Sequence, residues 1–112
     1  MAKANDRTYS HYTREALALL AALVREARLE KKMSAQELAD RAGVSRGLIQ
    51  RIEKADPRCG IGVTFEVASI LGLTLFESDE RAMVEKKMIT LNKIALMPKS
   101  IRKSKREVDD DF

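Results

Sequence analysis

Ser45, Arg46, Gly47, Gln50 and Arg51 stand within seven positions, and their side chains suit the reading of another molecule's polar edge. At helical spacing they occupy one side, while Leu48, Ile49 and Ile52 turn to the other. Arginine carries a fork of donors that fits guanine O6 and N7. Glutamine offers a donor and an acceptor that fit adenine N6 and N7. A helix also fits the major groove of duplex DNA. The spacing therefore predicts base reading by Arg46 and Gln50, phosphate contacts by Ser45 and Arg51, and close approach at Gly47. The competing reading is a solvated helix face in a protein-binding domain.

Little else in the chain could do chemistry. His11 is the one histidine and Cys59 the one cysteine. They lie far apart, so no base stands beside a nucleophile and no metal-ligand spacing appears. No glycine-rich phosphate loop or paired acidic motif is present either. The expectation is a binding protein rather than an enzyme, with no metal, cofactor or small-molecule substrate. A single cysteine cannot close an internal disulfide, and a cytoplasmic home is the simplest reading. The apolar run 16–24 imitates a signal-peptide core, but Arg25, Glu26 and Arg28 follow at once. It is also too short to span a bilayer, so no membrane role is expected.

Those side chains need a scaffold, and the composition suits helices. Apolar residues make up 45% of the 112 positions, aromatics only 4%, and tryptophan is absent, a mixture that packs through Leu, Ile, Val and Ala. The length allows one compact domain with appendages. Lysine and arginine outnumber aspartate and glutamate by 21 to 17, which permits a nucleic-acid partner without requiring one. The distribution says more than the total. Residues 33–73 balance five basic against five acidic side chains, whereas residues 98–106 hold five basic and no acidic ones.

Along the chain, residues 1–12 are polar and read as a flexible arm. From Thr13, Leu17, Leu20, Val24 and Ala27 recur on one face with Leu23 beside them, predicting a helix that ends near Lys32. Ser34-Ala35-Gln36-Glu37 is a capping box that starts a second helix, Ala35 to Ala42, and Gly43 stops it. Ser45 caps a third, Arg46 to Lys54, only two residues later. After the turn-rich stretch 55–60, a fourth helix is expected from Val63 to Leu71, presenting Val67, Ile70 and Leu71 to the core. A fifth follows the cap at Ser78-Asp79-Glu80 and runs to Met97, before Pro98. On it Val84, Met88, Leu91 and Ala95 make a seam suited to dimerisation or to packing on the chain's own domain.

Residues 33–54, with small Ala39 at the helix crossing, Gly43 in the turn, and Leu38, Val44, Ile49 and Ile52 as core, resemble the helix-turn-helix of the Cro/repressor (Xre-type) family. With flanking helices the resemblance covers roughly 20–76. It implies an all-α, five-helix Xre-type domain that binds an inverted-repeat operator as a homodimer. Arg28 and Glu53 match family positions that form an ion pair between the first and third helices. One departure stands out. The family places glutamine at the first residue of the second helix, where it contacts phosphate, and here Ala35 stands there. Gln36, Ser34 and the backbone amides at that helix start are the groups left for phosphate.

The stretch from Asp56-Pro57-Arg58 to Leu71-Gly72-Leu73, with the ending 98–112, is more loosely similar to HipB-like antitoxins. That resemblance implies a repressor of its own operon that also holds a HipA-like kinase toxin. Residues 98–112 are basic and then acidic, a pattern that reads as disordered in isolation. In the antitoxin reading Arg102, Lys103, Asp109, Asp110, Asp111 and Phe112 meet the toxin; otherwise the tail adds phosphate contacts or only solubility. The division expected is arm 1–12, helix-turn-helix domain 13–76, dimerisation helix 77–97 and tail 98–112. A stand-alone repressor of the same fold is the alternative to the antitoxin.

Overall fold

In the computed structural model, residues 7–99 are described. They form five helices joined by turns: α1 (His11–Glu30), α2 (Ala35–Ala42), α3 (Arg46–Glu53), α4 (Ile61–Ile70) and α5 (Glu80–Ala95). No strand occurs among the described residues, so the fold is all-α as the composition predicts.

Each start and stop has a local cause. Helix α1 begins two residues before Thr13, because the Ser10 hydroxyl accepts the Thr13 N–H at 3.1 Å and caps the end. Ser34 and Glu37 close the capping box at α2, with the two reciprocal bonds at 3.0 and 2.8 Å. Gly43 then takes φ 71°, and its N–H and that of Val44 return to carbonyls in the last turn of α2. This left-handed residue suits glycine alone without strain. Ser45 accepts the Leu48 N–H at 3.1 Å, so α3 starts at once on a new axis.

Other boundaries also differ from the sequence expectation: α1 takes in His11 and Tyr12 of the expected arm and ends at Glu30, and α3 ends at Glu53, one residue short of Lys54. Helix α4 starts at Ile61 rather than Val63: Gly60 adopts φ 91° with no side-chain cap, while the Thr64 N–H and hydroxyl both donate to its carbonyl. Helix α5 stops at Ala95, short of Met97, and the Leu96 and Met97 N–H groups fold back on Lys93 and Ile94. At its start Asp79 accepts the Arg81 and Ala82 N–H groups.

The chain divides after Leu75 into two compact units. In the first, α2 packs on α3 and α4, and α1 packs on α3. Leu38, Ile49, Val24 and Val67 are fully buried where these helices meet, joined by Ala27, Met33, Ala39, Ile52 and Leu71. Burying each large aliphatic side chain contributes about 1.5–3 kcal/mol. Leu20, Val44 and Ile70 pack against this core from its edge. Leu23 does not belong to it: the side chain is more than a third exposed, and Ala21 is buried in its stead. In the second unit, α5 buries none of its residues, and Lys86 meets Glu77 at 3.0 Å.

Candidate nucleic-acid interface

The geometry of α3 follows from what it buries. Ile49 and Ile52 are sunk in the core and Leu48 is half-buried, which fixes the rotation of the helix. With about 100° per residue, Gly47 and Lys54 then lie most directly opposite the core. Gln50 and Arg51 flank them, and Arg46 stands at the rim. All five are exposed, so the helix offers a polar, cationic ridge backed by an apolar wall. Ala39 is fully buried at the α2–α3 contact, where its small side chain allows the two backbones to approach.

The helix starts add amide donors. Ser45 uses its hydroxyl oxygen to accept from Leu48, which leaves its hydroxyl proton and the Arg46 and Gly47 N–H groups facing out at the positive end of α3. At α2 the capping box occupies the Ser34 and Glu37 N–H groups, so the Ala35 and Gln36 amides remain. The Gln36 side chain is turned along the helix, and its Nε2 donates to Asp40 Oδ1 at 2.9 Å. The second hydrogen on Nε2 is the donor it retains for a phosphate.

One ion pair anchors the ridge from behind. Arg28 on α1 grips Glu53 at the end of α3 through Nε at 2.7 Å and Nη2 at 2.9 Å, and its Nη1 donates to the Met33 carbonyl at 2.9 Å. Both side chains are nearly buried, at 10% and 7% exposure. The hydrogen bonds it donates to the Glu53 carboxylate hold the Arg28 guanidinium above its ordinary value, against the opposing cost of burial. Arg25 adds a longer contact to Glu53 at 3.8 Å. The C-terminal end of α3 is thus tied to α1 and to the α1–α2 turn.

Beyond α3, the loop 55–60 carries its own short-range order. Asp56 accepts from the Arg58 N–H and side chain at 2.9–3.2 Å, and that pairing holds its carboxyl below the usual range. Burial and the nearby Asp56 push the Cys59 thiol up, and hydrogen bonding and charge from Arg51 oppose this. Cys59 therefore stays a thiol at neutral pH and is no ready nucleophile. Arg51 is placed between the ridge and this loop.

Two features escaped the sequence reading. Lys54 extends the cationic ridge by a further turn, a position readable from its three- and four-residue spacing to Gln50 and Arg51. The lean of Arg51 toward Cys59 depends on the loop path, which no local pattern announces. The remaining predicted positions fall on α5 or outside the described residues. Val84, Met88, Leu91 and Ala95 line one exposed face of α5. Arg102, Lys103, Asp109, Asp110, Asp111 and Phe112 lie outside the described residues.

No helix among the described residues is long and apolar enough to cross a membrane. No curated protein and no solved structure matches the chain. A family model described as helix-turn-helix matches residues 24–77, which run from the last third of α1 to just before α5. Residues 24–77 are thus similar to helix-turn-helix domains, and in this chain α2 and α3 are the two helices joined by the turn at Gly43.

Proposed function

We propose that this protein is a sequence-specific DNA-binding transcriptional repressor that docks α3 in the major groove. The observation that carries this reading is the exposed ridge of Arg46, Gly47, Gln50, Arg51 and Lys54 on a helix whose opposite face is locked by Ile49, Ile52 and the Arg28–Glu53 pair. Arg46 and Gln50 read bases. Ser45, Arg51, Ser34 and Gln36 hold phosphates, with the amides at the starts of α2 and α3. Gly47 admits the groove wall. Footprinting on the DNA upstream of its own gene tests this: protection of an inverted repeat is expected, and uniform weak protection of any sequence would overturn it.

A single module contacts few base pairs, so useful affinity calls for a two-fold dimer with half-sites about 34 Å apart. The exposed stripe Val84, Met88, Leu91 and Ala95 on α5 is the dimer contact in this reading, since its spacing is that of a coiled-coil seam.

The finer assignment is an antitoxin of the HipB type that represses its own operon and neutralises a kinase toxin. Its support is the resemblance of residues 56–73 and 98–112 to such antitoxins; the tail then meets the toxin. Co-expression with the neighbouring gene and co-purification is the test. Failure to recover a kinase-like partner would leave a stand-alone repressor.

A further inference from the structure

Helix α1 carries two apolar stripes, and only one of them meets the core. Ala21, Val24 and Ala27 are buried. On another face Tyr12, Ala16, Leu19 and Leu23 recur at spacings of four, three and four, and all are exposed, Tyr12 at 82%, Leu19 at 61% and Leu23 at 36%. The same heptad register continues through Glu26 and Glu30, both exposed carboxylates. At the opposite end of the helix stand Arg7, 5.4 Å over the Tyr9 ring, and the Ser10 cap. The stripe is thus apolar in its N-terminal and middle turns and acidic at its C-terminal end, while the chain just ahead of the helix is basic at Arg7.

That arrangement is complementary to itself when reversed. In an antiparallel pair with Ala16 opposite Leu19 of a second copy, Tyr12 falls opposite Leu23, and small meets large at the centre. The same register sets Glu26 beside Tyr9 and within reach of Arg7 of the other copy, against the positive end of its helix dipole. A parallel pair would instead set Glu26 against Glu26. We infer that the Tyr12–Leu23 face of α1 is a self-association surface whose occupant is α1 of a second copy, packed antiparallel about a two-fold axis. One helix pair makes a small interface, under about 1,200 Å². It fills at high concentration, or between copies already held side by side.

This contact needs neither DNA nor the α5 stripe, so its failure is separable from theirs. Sedimentation of the full chain without DNA, over a concentration series, is the test. The largest species should fall to half its mass in Leu19→Lys, with an unchanged melting curve. In a Val84→Lys/Leu91→Lys background the chain should still dimerise, and adding Leu19→Lys should leave monomer. Glu26→Arg should weaken association, and Arg7→Glu placed in the same chain should restore it. Identical sedimentation of wild type and Leu19→Lys at every concentration would overturn the inference and leave the stripe to some other partner. Failure of the Arg7→Glu rescue would overturn the antiparallel register on which it rests.

Discussion

Gly47 separates folding from recognition more sharply than any other side-chain position in α3. It lies inside a helix at ordinary φ, and a Cβ built there would meet only Ser45 Oγ, at 3.8 Å. Alanine should therefore stabilise the free protein by about 0.5–1 kcal/mol through helix propensity. The same methyl group stands on the outward ridge and should weaken operator binding. Thermal melting and fluorescence anisotropy on Gly47→Ala should move in opposite directions; a rise in both would remove glycine from the interface. Arg28 is the converse case. Arg28→Ala leaves the Glu53 carboxylate nearly buried without its two charged donors and frees the Met33 carbonyl, a loss of roughly 3–5 kcal/mol. A large drop in melting temperature is expected, and an unchanged one would mean that the pair does not hold α3 in place.

Among elements, α2 and α3 were the most legible in the sequence, because their ends are set by neighbours within four residues. The Ser34 and Ser45 caps and the Gly43 stop all act locally. Gly43→Ala should cost about 1–2 kcal/mol, since its φ of 71° is hostile to a Cβ although no atom lies within 4 Å. Urea denaturation checks it, and a gain like that expected of Gly47→Ala would show that the left-handed backbone at Gly43 does not penalise a Cβ. The start of α4 was misplaced because Gly60 gives no side-chain cap to recognise. In α1 the predicted face did pack, with Val24 and Ala27 buried and Leu20 against the core. Leu23 beside it falls on a second apolar stripe, because periodicity finds a stripe without saying what packs on it. For the same reason the spacing in α5 revealed a seam without revealing what covers it. The ridge residues Arg46, Gly47, Gln50 and Arg51 were legible as a face; Lys54, at the cap just past the helix end, had the spacing to be read with them but was passed over.

At the scale of the whole molecule, affinity depends on joining two ridges at the spacing of the operator. Val84→Lys/Leu91→Lys should reduce binding to the full inverted repeat by well over tenfold, because linked modules gain about 10²–10⁴ in avidity over one. Binding to an isolated half-site should change little. Equal loss on both DNAs would place the α5 stripe elsewhere in the account. The most direct test of the central claim is selectivity itself: the ratio of full-chain affinity for the upstream operator to that for unrelated duplex, compared between wild type and Arg46→Ala/Gln50→Ala at fixed salt. Each bidentate base contact supplies about 1–3 kcal/mol of discrimination, so the ratio should collapse by at least about tenfold while the melting temperature holds. An undiminished ratio in the double variant would contradict the assignment of α3 as the reading helix.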